Sequence, residues 1–168
     1  MKDARLGVME NIVPLKAPVD SAGTAYATPY VDLKNALHAT FFYYVGVVTA
    51  TSADQNVVIT MEAATSAASS ATEVQVPFTY RLSGATGANS WGAPTAVAAA
   101  TGVSLDTTSA DGKMVMIDID PAKLDGLLAD ARFVRMVVAI DAGGTVTLNA
   151  AWAVLDPRYP QLTHLSAT

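Results

Sequence analysis

No cysteine occurs in the 168 residues. Disulfide staples, thiolate zinc sites and cysteine nucleophiles are thereby excluded, while the redox compartment stays open. Charge is also scarce: only 15% of residues are Asp, Glu, Lys or Arg, against about a quarter in an ordinary soluble domain. A soluble monomer normally covers itself with more charge, so the shortfall points to surface covered by partners. The ten Lys and Arg residues are scattered, no two are adjacent, and the net charge is −5. A nucleic-acid partner needs clustered basic side chains to displace counterions, so none is expected. No apolar run approaches the roughly 20 residues of a membrane-spanning helix. The opening residues MKDARLGVMENIVPLKAP carry Lys2, Asp3, Arg5 and Glu10 and no apolar core, unlike a signal peptide. Neither a Gly-rich phosphate cradle nor a GxSxG elbow is present. No cofactor, metal or catalytic set is therefore expected.

What is present reads as strands. The length suits a single domain. Residues 1–29 contain Pro14, Pro18, Gly23 and Pro29 and show no period, which predicts an extended N-terminal arm. From residue 30 to 156 the pattern predicts one antiparallel β-sandwich. Val31–Ala39 fits a leading strand, although Leu33, Ala36 and Leu37 also fit a helical turn, and Phe41–Thr49 reads as a strong strand. Val57–Ala63 follows after a turn at 54–56, so that 41–63 resembles a hairpin. Residues 63–72, AATSAASSAT, lack any large side chain and read as an exposed loop. Val74, Val76 and Phe78 alternate with polar residues, and Pro77 suggests an edge or a bulge. Lys113–Asp120, Phe133–Ile140 and Thr145–Val154 complete the set, with Asp120 also placed to cap a short helix at Pro121. Residues 157–168 form a tail outside the sheet. Seven or eight short strands make an all-β sandwich, and period alone does not separate a jelly roll from an immunoglobulin-like order.

The stretch Ala39–Thr49, ATFFYYVGVVT, contains four of the ten Phe and Tyr residues. Strand periodicity puts Phe41, Tyr43, Val45 and Val47 on one face and Phe42, Tyr44, Gly46 and Val48 on the other. One set can fill the sandwich. The other needs cover from an arm, a loop or a neighbouring subunit. Gly46 leaves room for a second backbone to come close.

Asp111, Asp118, Asp120 and Asp125 lack the ligand spacing of a calcium loop and read as a strand end, a cap and turns. His38 and His164 have no evident nucleophile and orienting acid, and read as surface or interface histidines. Trp152 falls on a face with Val146, Leu148 and Ala150 that is expected to look inward. Trp91 sits in a Gly-rich loop and is the one aromatic residue that suggests a sugar platform.

Three blocks carry a resemblance: VDLKNALHATFFYYVGVV, then MVMIDIDPAKLDG with ARFVRMVVAID, and finally TLNAAWAVLDPRYPQ. With the proline-interrupted arm before a sandwich, the pattern over roughly residues 30–160 resembles capsid decoration (cement) proteins of tailed bacteriophages. The resemblance implies a jelly-roll-like virion protein on the outer capsid surface. It would be a dimer or trimer that bridges subunits of the phage major capsid protein, and would not be an enzyme. The alternatives are another virion component, such as a tail or head–tail joining protein, and a carbohydrate-binding sandwich. Apolar residues in irregular segments have no sheet of their own to pack into. The expected contact residues are therefore Val8, Ile12, Val13 and Leu15 in the arm, Phe42 and Tyr44 on the second strand face, and Tyr159 and Leu162 in the tail.

Overall fold

The computed structural model describes residues 11–22, 25–49, 56–68, 71–106, 110–141 and 145–158. Within them lie β1 (Asn11–Ala22), β2 (Tyr26–Ala27), β3 (Val31–Asp32), β4 (Ala36–Tyr44), β5 (Val48–Thr49) and β6 (Asn56–Ala64). These are followed by β7 (Glu73–Gln75), β8 (Phe78–Leu82), β9 (Thr95–Val97), β10 (Val103–Asp106), β11 (Met114–Ile119), β12 (Phe133–Ile140) and β13 (Thr145–Pro157). A 3-10 turn, Pro121–Lys123, sits between β11 and β12; Asp120 caps it through its carboxylate, which accepts from the Ala122 amide at 3.0 Å.

The strands form two antiparallel sheets. The larger runs β1-β13-β4-β11-β8-β9, with β5 also on β13; the smaller runs β10-β6-β12-β2, with β3 on β12 and β7 on β6. Treating β2 and β3 as one broken strand, and setting aside the short β5 and the β7–β9 excursion, leaves eight principal strands. Numbered in chain order, they run 1-8-3-6 in one sheet and 2-7-4-5 in the other. The nested pairs are all present: β1 with β13, β2 and β3 with β12, β4 with β11, and β6 with β10. This is the jelly-roll order, so the all-β sandwich expected from the sequence is the observed fold.

Alternation explains the core. Phe41, Tyr43 and Val45 are fully buried, as are Val115 and Ile117 beside them. Across the sandwich they meet the buried side chains Val57, Ile59, Met61, Val134, Met136 and Val138. Val47, expected on the same face, is 58% exposed because β4 ends at Tyr44. Gly46 is buried, and the backbone of the 110–113 turn does approach there, with the Gly112 amide 3.3 Å from the Gly46 carbonyl.

Several expectations are corrected. Residues 11–22 are a strand of the sandwich rather than an arm outside it, and residues 26–27 also pair into a sheet. Edge position reconciles β1 with its prolines, since an edge strand need not donate on its outer side. Its pairing with β13 slips at three places, between Pro14 and Ser21. The 41–63 hairpin does not form, because β4 and β6 lie in opposite sheets. Pro77 marks the crossing from the smaller sheet to the larger, between β7 and β8. Ala63 and Ala64, expected in an exposed loop, are buried at the end of β6.

Where β1 slips, Asn149 turns inward and is fully buried. Its Nδ2 donates to the Val19 carbonyl at 2.6 Å and the Ser21 hydroxyl at 3.0 Å, and its Oδ1 accepts from the Tyr26 hydroxyl at 2.8 Å. The neighbouring Leu148 adopts φ 53°, and its amide donates to Asp20 Oδ1 at 2.9 Å. Burial raises the Tyr26 phenol well above its ordinary value and pushes Tyr43 up to about 12. Between β2 and β3, Thr28 Oγ1 accepts the Met136 amide at 3.1 Å, so a side chain completes the ladder where the strand breaks.

The outer face of the smaller sheet is closed by charge. Arg135 lies 2.8 Å from both Glu62 and Glu73. Its guanidinium also stacks on Tyr30 at 4.7 Å, and the Tyr30 hydroxyl donates to Glu73. Partial burial and the Glu73 carboxylate push the Tyr30 phenol up to about 12. Arg132 covers Phe133 at 4.8 Å and pairs with Asp32 at 3.5 Å.

Candidate interaction surface

The outer face of the larger sheet is built differently. Register places Pro14, Trp152, Phe42, Met116 and Arg81 side by side across β1, β13, β4, β11 and β8. A second row is Ile12, Val154, Thr40, Asp118 and Thr79, and a third brings Ala150 and Tyr44 beside Met114. Apolar and aromatic side chains therefore occupy the middle of a sheet face that strand alternation turns away from the core.

Phe42 is its centre. Trp152 stacks on it with centroids 5.5 Å apart and planes 13° apart. Trp91 meets it at 6.4 Å and 58°. The loop after β8 brings Trp91 there. It folds back as an irregular hairpin, with the Gly84 amide on the Ser90 carbonyl at 2.9 Å, the Gly92 amide on the Leu82 carbonyl at 2.8 Å, and a bridge between Ser83 and Trp91. Gly87 turns the loop at φ 82°, a conformation that glycine adopts without steric cost. A Cβ on Gly84 would lie 2.5 Å from Ser90 Oγ, so a larger residue there would make the Ser90 side chain turn away. Trp91 remains 38% exposed and Ile12 48% exposed.

This overturns the expected orientation of Trp152, which lies half-buried on the outer face rather than in the core. On either side of Trp152 the inward residues of β13 are Asn149, Ala151 and Ala153, and Leu155 further along also packs against the core. Small side chains there leave room for the bulky Phe41 and Tyr43 on neighbouring β4. The second face of ATFFYYVGVVT is covered in part by Trp152 and the Trp91 loop. The expected contact residues divide accordingly. Ile12, Phe42 and Tyr44 lie together on this face. Val13 packs against the core, and Leu15 is buried at 6% exposure. Leu15 is thus corrected from a contact residue to a core residue, because β1 alternates like any strand. Val8, Tyr159, Leu162 and His164 lie outside the described residues.

Polar groups gather at one end of the face. His38 Nε2 lies 3.3 Å from Asp118 Oδ1, and the Thr40 hydroxyl donates to the same oxygen at 3.2 Å. Both groups converge on the carboxylate. The order nucleophile–base–acid, in which the imidazole holds the hydroxyl, is not formed. Asp125 accepts from the Asp130 amide at 2.9 Å, as a turn residue does. Among the described residues no three His, Asp or Glu side chains come together as metal ligands. No described helix is long and apolar enough to cross a membrane.

No known family profile matches the chain, and no curated protein matches it. Two chains among solved structures overlay on it loosely, each 12% identical. One, titled "Structure of infectious bursal disease virus Gx strain", aligns over 88% of this chain and 40% of that one, with a TM-score of 0.18. The other, of the Gt strain of that virus, aligns over 95% and 45% with a TM-score of 0.17. The chain spans less than half the length of either.

Proposed function

We propose that this chain is a structural protein of a bacteriophage virion, bound to the outer capsid surface, where it bridges subunits of the major capsid protein and stabilises the shell. It acts without catalysis or cofactor, and associates with itself as a dimer or trimer. The observation that carries this reading is the aromatic outer face of the larger sheet. Its composition of Trp, Phe, Tyr and Met with a single flanking Arg is that of an interface centre rather than of a solvated surface. Five strands at about 4.8 Å spacing make it roughly 20 Å across, a width suited to a partner of ordinary size. Low overall charge fits a chain partly covered in its working state. The acidic balance fits an outer surface better than a lumen filled with DNA.

The test is reconstitution. Purified chain is added to mature capsids that lack it, sedimented, and heated. Expected results are co-sedimentation at saturating copy number and a higher temperature of DNA release. The double variant Phe42→Ser, Trp152→Ser should remain folded and fail to attach. Absence of co-sedimentation by the parent chain would overturn the reading. A copy number of only a few per particle would instead place the protein at the tail or the head–tail joint. The exposed Trp91 ring supports a second reading, a carbohydrate-binding sandwich. Binding on a glycan array that Trp91→Ala removes would favour it over assembly.

A further inference from the structure

Where the aromatic face ends, the larger sheet opens into a cleft of about 650 Å³. Pro77, Leu124 and Leu127 contribute apolar wall, while Asp118 and Asp120 contribute carboxylates from the end of β11. We propose that this cleft is a docking pocket for one arginine or lysine side chain, presented by an extended segment of a partner protein.

The chemistry of the lining selects that occupant. Asp118 is fixed by Thr40 and faces His38; Asp120 is fixed by the Ala122 amide. Two residues two apart in extended chain carry side chains on the same side, with Cα atoms about 6–7 Å apart, so both carboxylates line one cleft that a guanidinium or ammonium can enter. Lys123 lies 3.8 Å from Asp120, but its side chain is 81% exposed, so it sits at the rim and does not fill the cleft. The carboxylates of Asp118 and Asp120 and the ammonium of Lys123 in the lining sum to one negative charge. An anionic occupant would be repelled. A purely aliphatic one would strip water from the carboxylates without replacing their hydrogen bonds. A basic side chain satisfies both parts: its methylene stem lies on Leu127 and Pro77, which are exposed, and its head makes charge-assisted hydrogen bonds.

The extended form of the partner follows from the surroundings. The cleft lining includes Asp118, Thr79 and Ala96, which lie side by side across β11, β8 and β9 and continue the second row of the outer face. A strand-like segment crossing that face reaches the cleft in register. The pocket stands on its own lining, independent of whether the partner is a capsid protein.

The test is an amide NMR titration of the full chain with N-acetyl-Leu-Arg-Leu-amide, with the Glu-centred peptide N-acetyl-Leu-Glu-Leu-amide as control. The Arg peptide is expected to shift amides of residues 77–79, 96–97 and 118–127, with a millimolar Kd, and the Glu peptide to leave them unmoved. Asp118→Asn with Asp120→Asn should weaken the Arg peptide about tenfold, as loss of a charge-assisted hydrogen bond implies. Asn caps as well as Asp, so the double variant keeps the turn, and its unchanged dispersion elsewhere verifies the fold. Equal shifts by both peptides, no shift of cleft amides by the Arg peptide, or undiminished binding by the folded double variant would each overturn the proposal.

Discussion

The two outer faces of this sandwich use aromatic residues in opposite ways. On the outer side of the smaller sheet Tyr30 and Phe133 are each matched to a guanidinium, Tyr30 by Arg135 and Phe133 by Arg132, and the Arg135 charge is closed by Glu62 and Glu73. That face is complete within one chain. On the larger sheet the aromatic residues are matched to each other, Phe42 between Trp152 and Trp91, and the surrounding rows offer Ile12, Pro14, Tyr44, Met114 and Met116. Water meets this second face at an energetic cost that scales with the apolar area left exposed. Two faces built on one fold and one core thus differ in whether the chain satisfies them alone. The incomplete one is where a partner gains most.

The strongest way to break this comparison is within the adjacent pair Phe41 and Phe42. Phe41 is fully buried and Phe42 half-buried on the outer face. Phe41→Ala should cost about 3–5 kcal/mol of folding stability. Phe42→Ala should cost about 2 kcal/mol, from two aromatic contacts and partial burial. Urea denaturation of the two variants measures both. Equal losses would mean that the outer aromatic cluster is packed as tightly as the core and has no need of a partner.

A smaller effect is expected on the other sheet. Arg135→Ala leaves Glu62 and Glu73, both partly shielded from solvent, without their shared cation. Solvent screening limits the cost to about 2 kcal/mol. Restoring neutrality with Glu62→Gln and Glu73→Gln in the Arg135→Ala background should recover part of the loss, again read by urea denaturation. No recovery would show that Arg135 works by packing on Tyr30, and the charge-closed description of this face would fail.

How far the sequence could carry this comparison depends on distance along the chain. Alternation in ATFFYYVGVVT separates Phe41 from Phe42 because a strand's period is local. The jelly-roll order is not local, and β1 was obscured by Pro14 and Pro18, which suggest an arm until an edge partner is known. Trp152 reads as an inward residue because a large apolar side chain in a strand suits a core. The core side of β13 around it is instead made of Asn149, Ala151 and Ala153, whose small volume is informative only once Phe41 and Tyr43 are seen nearby. The cluster of Phe42, Trp91 and Trp152 joins two strands and a loop, and the cleft joins His38 to Asp118 across 80 residues. No spacing rule brings such residues together.

The smallest effect tests the edge of the larger face. Leu148 is 63% exposed and holds φ 53°, a left-handed conformation. Such a conformation costs an L-residue roughly 1–2 kcal/mol, while glycine there would lose about 0.5–1 kcal/mol in added chain entropy. Leu148→Gly should therefore leave urea stability unchanged or raise it by less than about 1 kcal/mol, since little buried area is lost. The Asp20 contact to its amide is a backbone one and survives the substitution. An exposed leucine kept at a site where glycine fits better makes sense if its side chain works outside the chain. In the capsid reconstitution the same variant should then attach more weakly than the parent. Weaker attachment with unchanged stability would extend the incomplete face to Leu148, and unchanged attachment would draw its boundary at Trp152.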